Sequence, residues 1–360
     1  MKKIEKVLFV ISNISFGGAQ RVTWTLAEQM KSQGIEPVVV AVGHSTNNYT
    51  LPEGIKVVQL GQKRSYEVLR TIARMKKVVK GENPSVVITM GVATCLFSVP
   101  AVLGTGISHI ISERNDPRNF LGKTWVKNAS RRMVKKGSGF VFQTEEARDF
   151  YPEEVSSRGC VIPNPIMAKN LPECDRENEE STVVTMGRLT AQKNHPLLID
   201  AFAELIKEYP QYKLHIYGSG ELKAATSAYI TEKNMTESVI LFDACDDVLQ
   251  RIKRASIFVL SSDFEGMPNA LMEAMAMGLA CVSTDCPCGG PHYLIQDGEN
   301  GLLVPVADKD ALAKAMLRLA ESKELREKLG NNSRELRNKL SADAICARWV
   351  DYCTEVVNGK

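Results

Sequence analysis

Short apolar runs alternate with amphipathic segments through the whole chain, and this alternation is the feature that most constrains its fold. Most runs are unbroken stretches rich in β-branched residues, which is typical of parallel strands buried on both faces. Because segments with helical spacing of apolar residues separate them, the pattern predicts an α/β protein with doubly wound sheets. The predicted strands are 7–11, 37–42, 86–89, 108–112, 140–143, 183–186, 213–217, 239–242, 257–261, 280–284 and 301–304.

The length of the chain divides this pattern into two domains. At about 150 residues per domain, 360 residues predict two, and the polar, acidic, proline-bearing segment 166–181 is typical of a linker. We therefore expect Rossmann-like domains over 1–168 and 169–340, which face each other across a cleft and bind ligands there at the carboxyl ends of the strands. A last helix within 341–360 could pack on either domain.

The composition excludes several classes of protein. Hydrophobic residues make up 44% of the chain and charged residues 24%, which excludes a disordered chain and a collagen-like repeat. Nine scattered cysteines predict reduced thiols rather than a disulfide scaffold or a zinc site. The opening MKKIEKVLFVIS has too short an apolar run for a signal peptide, and no run is long enough to span a bilayer. We expect a cytoplasmic protein.

Two glycines, Gly17 and Gly18, lie where the first predicted strand turns into a helix. Such glycines let the backbone approach a ligand, and the helix start offers free N–H groups to an anion. Tight packing explains the same pattern equally well. The second strand ends in Val42, Gly43 and His44 without an acidic residue, which argues against NAD binding.

Charged residues follow two strands of the second half. Arg188 and Lys193 lie in the loop after strand 183–186, where an arginine fork and a lysine ammonium could converge on a diphosphate or remain solvated. After strand 257–261, Pro268 and Gly278 predict a helix over about 268–277. Glu265 precedes this helix and Glu273 lies within it, and carboxylates of this kind accept hydrogen bonds from paired sugar hydroxyls.

The order and spacing of five segments identify a resemblance over nearly the whole chain. The chain resembles the family-four retaining glycosyltransferases of the GT-B fold. The segments that carry the resemblance are GGAQRVTWTLA, MGRLTAQKNHPLLIDAF, YGSGE, SSDFEGMPNALMEAMAMGLACVSTD with its Glu-x7-Glu pair, and DGENGLLVPVADKDALAKAM.

The resemblance implies a role for each of these segments. Arg188 and Lys193 would neutralise the diphosphate of a nucleotide-sugar donor, a UDP-sugar, and Glu265 would contact the donor sugar; these three are the catalytic candidates. The base would pack near 241–243, although Ala244 stands where many relatives have glycine. The donor-binding candidates are Gly17, Gly18, Gly218, Gly220, Gly266, Met267, Pro268, Asn269 and Glu273, the last as the ligand of the ribose hydroxyls.

On the acceptor side the chain departs from its relatives. They commonly place a histidine after the strand that corresponds to 108–112, whereas this chain has Arg114 there. A guanidinium cannot act as a base at neutral pH. Either Glu113 or Asp116 assists the acceptor, or the donor phosphate takes the proton. His109 is expected to be a core or strand residue.

No cofactor and no metal ion are expected. The segment Asp308-Lys309-Asp310 has a DxD pattern, but it precedes a predicted helix, whose start favours aspartate as a cap. Positive charge on the two cations and the helix start would stabilise the departing diphosphate instead.

The first half of the chain carries a basic excess, with 24 lysines and arginines against 13 aspartates and glutamates in residues 1–170. Two predicted helices concentrate this charge, and repeated cations suit reversible docking to an anionic leaflet. Nucleic acid fits less well, because no aromatic stacking surface accompanies the charge. The first helix contributes Arg70, Arg74, Lys76, Lys77 and Lys80; the second, the membrane-facing candidate, contributes Lys123, Trp125, Lys127, Arg131, Arg132 and Lys135.

Together these observations predict a retaining transferase that moves a hexose or N-acetylhexosamine from a UDP-sugar to a polyprenyl-diphosphate-linked glycan in surface polysaccharide or glycan biosynthesis. It would associate peripherally with the inner face of the plasma membrane. The alternatives are a GT-B-fold UDP-sugar epimerase or phosphorylase, and a non-enzymatic sugar-nucleotide-binding protein.

Overall fold

The structure, a computed structural model, describes residues 2–15, 17–44, 52–62, 67–120, 124–167 and 171–359. The chain forms two compact units. Unit 1 comprises Met1–Pro165 and Leu340–Lys360, and unit 2 comprises Ile166–Lys339. The predicted boundary between residues 168 and 169 lies outside the described residues. Because unit 1 includes Leu340–Lys360, the last helix belongs to unit 1.

Unit 1 is built on a seven-stranded parallel sheet with the order β3-β2-β1-β4-β5-β6-β7. Valines and isoleucines of the central strands are fully buried, because helices cover both faces. The strands are β1 (Lys6–Ile11), β2 (Glu36–Gly43), β3 (Lys56–Gln62), β4 (Val86–Met90), β5 (Ser108–Ser112), β6 (Gly139–Phe142) and β7 (Gly159–Val161). The helices are α1 (Gly18–Ser32), α2 (Val68–Glu82), α3 (Cys95–Val102), α4 (Thr124–Val134), α5 (Glu145–Asp149), α6 (Glu153–Ser156) and α15 (Ala342–Val357).

The C-terminal helix α15 is anchored in unit 1 by buried side chains and by a tyrosine. Trp349 and Cys353 are fully buried. The Tyr352 hydroxyl accepts a hydrogen bond from the backbone N–H of Phe140 at 2.8 Å and donates one to the Arg158 carbonyl at 2.6 Å. This hydroxyl joins β6 to the segment before β7.

Unit 2 is built on a six-stranded parallel sheet with the order β10-β9-β8-β11-β12-β13. Its core packs α7 and α12 onto one face of the sheet, and each fully buried side chain such as Phe202 contributes about 1.5–3 kcal/mol. The strands are β8 (Glu180–Met186), β9 (Lys213–Tyr217), β10 (Val239–Phe242), β11 (Ala255–Leu260), β12 (Ala280–Thr284) and β13 (Leu302–Val304). The helices are α7 (His195–Glu208), α8 (Lys223–Glu232), α9 (Val248–Ile252), α10 (Asn269–Met277), α11 (Gly290–Leu294), α12 (Lys309–Glu321), α13 (Lys323–Ser333) and α14 (Leu336–Lys339).

The strand order of unit 2 reverses between β8 and β11. From β8 the chain moves outward through β9 to β10, and it then returns to β11 on the other side of β8. Loops that leave the carboxyl ends of two such strands diverge and open a crevice, which is where open α/β sheets bind ligands. The segments that carry Arg188, Lys193 and Glu265 are the loops after these two strands.

The start of unit 2 is tied to α13 by a buried ion cluster. Arg326 Nη2 lies 2.6 Å from Glu179 Oε2, and Arg176 Nη1 lies 2.7 Å from Glu179 Oε1. Burial alone would raise the pKa of Glu179, but the hydrogen bonds and charges of the two arginines outweigh it and hold the pKa below its ordinary value. The segment 176–179, which was predicted as a linker, is thereby part of the folded unit.

Candidate active site

The loops after β8 and β11 bring a lysine and a glutamate into direct contact. Lys193 Nζ lies 2.5 Å from Glu265 Oε1, although the residues are 72 positions apart. Ser262 donates a hydrogen bond to the same oxygen at 2.7 Å, and Gln192 Nε2 lies 3.3 Å from Glu265 Oε2. Glu265 is only 7% exposed, and a buried carboxylate needs such partners. An ammonium group has three N–H donors, so Lys193 can bind Glu265 and a ligand together.

Further hydrogen bonds join the same two loops. The backbone N–H of Asp263 donates to the Gln192 carbonyl at 2.9 Å, and Ser261 Oγ donates to the Lys193 carbonyl at 2.9 Å. Asn194 adopts a left-handed conformation with φ 44°, caps α7 through its side chain and donates to Asp263 Oδ1 at 2.7 Å. Asparagine tolerates this conformation better than most residues. The backbone around Lys193 is therefore fixed by the fold itself.

Arg188 contrasts with Lys193 in the same loop. It is exposed, and its side chain has no hydrogen bond or ion pair within the described part of the chain. Two buried oxygens nearby, Thr190 Oγ1 and Gln192 Oε1, also have no hydrogen-bond partner among the described residues. Buried polar atoms are almost always paired in proteins. The loop thus holds two buried oxygens and one arginine side chain that have no hydrogen-bond partner among the described residues.

The two glycines Gly218 and Gly220 press the loop after β9 onto the Arg188 loop. A Cβ at Gly218 would collide with the Gly187 carbonyl oxygen, and one at Gly220 with the Leu189 carbonyl oxygen. The backbone N–H of Leu189 donates to the Ser219 carbonyl at 3.0 Å. Only residues without a side chain permit this approach. The structure therefore gives these predicted donor-binding glycines a packing contact that positions Arg188.

The start of α10 is buried beside the same site. Gly266, Met267 and Pro268 are buried, and a Cβ at Gly290 would collide with the Gly266 carbonyl oxygen. The helix begins at Asn269, so Pro268 is its cap residue, whereas the sequence predicted it in the first turn. It ends, as predicted, at Gly278 with φ 90°. Glu273 lies half-buried in the second turn of α10.

Two titratable side chains next to the site are held in their neutral forms. Burial, aided by the charge of Lys193, lowers the pKa of His195 to about 4. Burial, aided by the charge of Glu265, raises the pKa of the Cys286 thiol. At neutral pH neither group competes with Lys193 for an anion or with Glu265 for a cation. None of the nine cysteines, all of which lie within the described residues, forms a disulfide, and most of them are buried.

In unit 1 the two predicted glycines start α1. Gly17 is its cap residue, with extended backbone at φ 176°, and Gly18 is its first residue. A Cβ at Gly17 would meet only the flexible end of Gln20. That Gln20 amide in turn donates to Ser12 Oγ at 3.2 Å and Asn13 Oδ1 at 3.1 Å, which connects the loop after β1 to the helix.

Glu113, the first residue after β5, is a buried carboxylate with three donors. Its Oε1 accepts hydrogen bonds from the backbone N–H groups of Arg114 at 2.9 Å and Asn115 at 3.3 Å. Its Oε2 accepts one from the Tyr151 hydroxyl at 2.5 Å. Burial raises the pKa of Glu113, and the hydrogen bond from Tyr151 opposes this rise. Tyr151 did not stand out in the sequence, because it lies 38 positions from the glutamate.

The other two acceptor-side candidates, Arg114 and Asp116, also form hydrogen bonds within unit 1. Arg114 Nη2 donates to Asn164 Oδ1, which also accepts a hydrogen bond from Gln143 Nε2 at 2.7 Å. Burial lowers the pKa of Arg114 to about 10, so it remains a cation at neutral pH. Asp116 accepts a hydrogen bond from the backbone N–H of Arg118 at 3.0 Å, and its side chain is fully buried. Asp116 therefore stabilises its own turn.

The basic helix α4 has partners for some of its charges. Arg131 donates to the Pro117 carbonyl at 3.3 Å and lies over the Phe150 ring. Lys135, which follows the last residue of the helix, pairs with Glu154 at 2.5 Å. Arg132 and Trp125 are exposed, whereas Lys127 is half-buried. Lys123 lies outside the described residues. The predicted stripe is therefore only partly available to an external partner.

Two remaining predictions concern residues outside these sites. His109 is buried in β5, where burial lowers its pKa to about 4 and Thr89 Oγ1 lies 2.7 Å from its Nε2; it is a core residue, as expected. Asp308 caps α12 through a hydrogen bond from Ala311 N at 2.8 Å, which confirms its predicted role. Among the residues that the structure describes, no group of His, Cys, Asp and Glu side chains could hold a metal ion.

Comparison with known proteins finds relatives along the whole chain. The chain is 26% identical, over 98% of its length and 99% of the relative, to the Campylobacter jejuni GalNAc-alpha-(1->4)-GalNAc-alpha-(1->3)-diNAcBac-PP-undecaprenol alpha-1,4-N-acetyl-D-galactosaminyltransferase. It is also 26% identical, over 96% and 99% of the two chains, to an uncharacterized glycosyltransferase of Haemophilus influenzae. The crystal structure of Anabaena HepE with UDP-glucose has the same fold, with a TM-score of 0.83 at 15% identity and coverage of 99% and 100%.

Two family models divide the chain between them. The model described as Glycosyltransferase Family 4 matches residues 16–169, and the model described as Glycosyl transferases group 1 matches residues 169–336. Their order agrees with the two parallel α/β units of the structure. The chain therefore belongs to the family-four glycosyltransferases of the GT-B fold.

Proposed function

We propose that this glycosyltransferase moves a hexose or N-acetylhexosamine, with retention of configuration, from a UDP-sugar to a polyprenyl-diphosphate-linked glycan in surface polysaccharide or glycan biosynthesis. The observation that carries the proposal is the Lys193–Glu265 contact at the reversal point of the unit 2 sheet, in the same loop as Arg188, whose exposed side chain has no partner among the described residues. Two comparisons support the choice of substrates. The Campylobacter relative is named for an acceptor on PP-undecaprenol, and HepE was crystallised with UDP-glucose.

The chemistry that this arrangement suits is departure of a diphosphate. When the bond between the anomeric carbon and the phosphate oxygen breaks, negative charge grows on the leaving group. Arg188, Lys193 and the N–H groups at the start of α10 would oppose that charge, and preorganised electrostatic groups of this kind often contribute more to catalysis than any other effect. Glu265 would accept hydrogen bonds from hydroxyls of the donor sugar, and Glu273 from the ribose. No metal ion is needed for this charge balance.

The proton of the acceptor hydroxyl has three candidate destinations, and the geometry favours one. Glu113 is buried and accepts hydrogen bonds from two backbone N–H groups of its own loop and from Tyr151, and Asp116 stabilises its own turn. We therefore assign the proton to an oxygen of the departing diphosphate. The acceptor oxygen bonds to the anomeric carbon, the bond to the phosphate oxygen breaks, and the products are the glycoside and protonated UDP.

The lipid-linked acceptor would bring the enzyme to the cytoplasmic face of the plasma membrane. No helix in the described ranges is both long and apolar enough to cross a bilayer. Peripheral association through exposed cations of α4, such as Arg132, suits an anionic leaflet. Trp125, also exposed, is an aromatic residue of the kind that favours the membrane interface.

The decisive experiment is a transfer assay with UDP-, GDP- and ADP-sugars and a polyprenyl-diphosphate glycan acceptor. We expect nucleotide release with UDP-hexose or UDP-N-acetylhexosamine only when the acceptor is present. NMR of the product should show the anomeric configuration of the donor. Release of epimerised donor without transfer, or absence of turnover with folded protein in every pairing, would overturn the proposal.

A further inference from the structure

The carboxyl side of the unit 1 sheet holds a buried polar cluster that the proposed reaction does not yet use. It comprises Glu113 and Arg114 after β5, Gln143 after β6, Tyr151 after α5, and Asn164 after β7. Four of these five side chains are more than nine-tenths buried. Buried polar groups cost free energy unless they are fully hydrogen-bonded, so a cluster of this size constrains the backbone that carries it.

The cluster holds the loop after β5 at two separate points. Glu113 fixes the backbone, because its Oε1 accepts from the N–H groups of Arg114 and Asn115. Asn164 fixes the guanidinium, because its Oδ1 accepts from Arg114 Nη2. The Nε of Arg114 is buried and has no hydrogen-bond partner within the described ranges. A guanidinium has five N–H donors, and those of Arg114 that bind Asn164 Oδ1 and, at 3.4 Å, Ser112 Oγ are two of them. Arg114 is thus held in place with further N–H donors unused within the described ranges.

Tyr151 stabilises the first of these two points, the contact between Glu113 and the backbone of its loop. Glu113 has no cation in hydrogen-bond contact within the described chain, so neutral donors stabilise its charge, and the shortest of these hydrogen bonds comes from Tyr151. The charged and titratable groups that face this pair are Arg114 on the same loop, Cys95 on α3 and Arg131 on α4. Removing the Tyr151 hydroxyl would leave burial to raise the pKa of Glu113 further.

We propose that Tyr151 is a positioning residue for the transfer reaction, which acts through Glu113 to fix the backbone of Arg114, so that its guanidinium, held by Asn164, binds the diphosphate of the acceptor lipid. The inference rests on the proposed function. An arginine with unused N–H donors and a fixed plane suits bidentate recognition of phosphate. The role of Arg114 is then to bind the acceptor anion rather than to replace a catalytic base.

The test compares Tyr151→Phe with Tyr229→Phe. Tyr229 is a matched control in unit 2, because its hydroxyl donates to a carboxylate oxygen of Asp200 at 2.9 Å and makes no contact with Lys193 or Glu265 among the hydrogen bonds of the described residues. Tyr151→Phe should raise the KM for the lipid acceptor about ten-fold and leave the KM for the UDP-sugar unchanged. The acidic limb of its pH profile should move up by about one pH unit, since Glu113 would protonate earlier. Tyr229→Phe should change neither quantity.

A second measurement does not depend on turnover. Hydrogen–deuterium exchange of the segment 112–119 should be faster in Tyr151→Phe than in the wild type, because the Arg114 and Asn115 amides lose a stable acceptor. Unchanged exchange and an unchanged pH profile would overturn the inference even if transfer is confirmed. Failure of the wild type to transfer sugar would overturn the proposed function, and faster exchange would then support only the positioning of the loop. In that case the assignment of Arg114 to the acceptor falls with the function.

Discussion

Each unit places a glutamate and a cation after strands of its parallel sheet, but the two pairs are built in opposite ways. In unit 2, Lys193 and Glu265 come from different strands, contact each other directly and stand beside the unpaired Arg188. In unit 1, Glu113 and Arg114 are sequence neighbours, and other groups hold each of them: Tyr151 and backbone N–H groups hold the glutamate, and Asn164 holds the arginine.

This difference separates charges that are available to a ligand from charges that build the site. Lys193 has N–H groups to spare, so a phosphate can share it without breaking its contact with Glu265. Glu113 instead accepts two of its three hydrogen bonds from backbone N–H groups of its own loop, so its charge supports that loop. The comparison predicts that substitutions of Arg188 and Lys193 in unit 2 change the rate, whereas those of Glu113 and its partners in unit 1 change stability or positioning.

The largest effect should follow removal of both donor-site cations. If each contact is worth about 100- to 1000-fold in rate, as for a lost oxyanion donor, Arg188→Ala combined with Lys193→Ala should lower kcat by about 10⁴-fold or more. The thermal midpoint of the double variant should fall too, because Lys193→Ala leaves the buried Glu265 without its ammonium partner. Arg188→Ala alone should lower kcat with little change in the midpoint, because its side chain has no partner to lose within the described chain. A suitable control is Lys207→Ala, which removes an exposed lysine of α7 that pairs with Glu204. A double variant that retains activity within ten-fold would remove these residues from the mechanism.

The second effect concerns stability. It compares how Glu179 in unit 2 and Glu113 in unit 1 make the unfolding free energy depend on pH. The pKa of Glu179 is held below its ordinary value of 4.5 by Arg326 and Arg176, so its stabilisation is present above that value and is lost as the pH falls through the lowered pKa. Breaking such a pair by Glu179→Ala should cost about 3–5 kcal/mol. Glu179→Gln should flatten the dependence of the unfolding free energy on pH below about 4.5.

Thermal unfolding between pH 3 and 7 measures this dependence directly. The pKa of Glu113 is raised instead, so its ionisation favours unfolding, and stability should fall as the pH rises through the interval between its unfolded and folded values. Glu113→Gln should therefore change the pH slope in the direction opposite to that of Glu179→Gln. Equal slopes in the two variants would contradict the assignment of the two environments.

The sequence analysis predicted the buried strands well, but it missed β3 and β7. Both lie at the edges of the unit 1 sheet, and their residues are only partly buried, so they lack the continuous apolar run by which the central strands were recognised. Because an edge strand is covered by fewer neighbouring elements than a central strand, fewer of its residues need to be apolar. Hydrophobic periodicity therefore identifies edge strands poorly.

The residues of the candidate site also divide into those that the sequence pattern predicts and those that it does not. Arg188, Lys193 and Glu265 could be predicted because each lies in a loop after a buried strand. Gln192 and Tyr151 could not, since each binds a glutamate far away in the chain, 73 positions from Gln192 and 38 from Tyr151. Sequence spacing reports neighbours along the chain, whereas strand order decides which loops meet.

A smaller loss of stability tests whether Glu113 builds its loop. Glu113→Ala leaves two backbone N–H groups and the Tyr151 hydroxyl without their acceptor, and we expect the unfolding free energy to fall by about 2–3 kcal/mol. Glu113→Gln keeps an acceptor oxygen for the backbone and should cost less than half as much. Denaturant unfolding of both variants gives the two values. If the alanine variant is as stable as the wild type, the cluster does not constrain the loop.

The smallest effect extends the comparison to the surface of α4, where some cations are also paired and others are not. Arg132 is exposed and without a partner in the part of the chain that the structure describes, whereas Lys135 is paired with Glu154 at 2.5 Å. An unpaired cation near an anionic leaflet contributes about a five-fold change in binding. Arg132→Gln should therefore weaken sedimentation with vesicles of phosphatidylcholine and phosphatidylglycerol about five-fold, and Lys135→Gln by less, since Glu154 already offsets its charge. Both differences should shrink at high salt, because the interaction is screened. Equal loss in the two variants would contradict the distinction between paired and unpaired cations. No loss with either would show that this surface does not face the membrane, and it would leave the Lys193–Glu265 site unaffected.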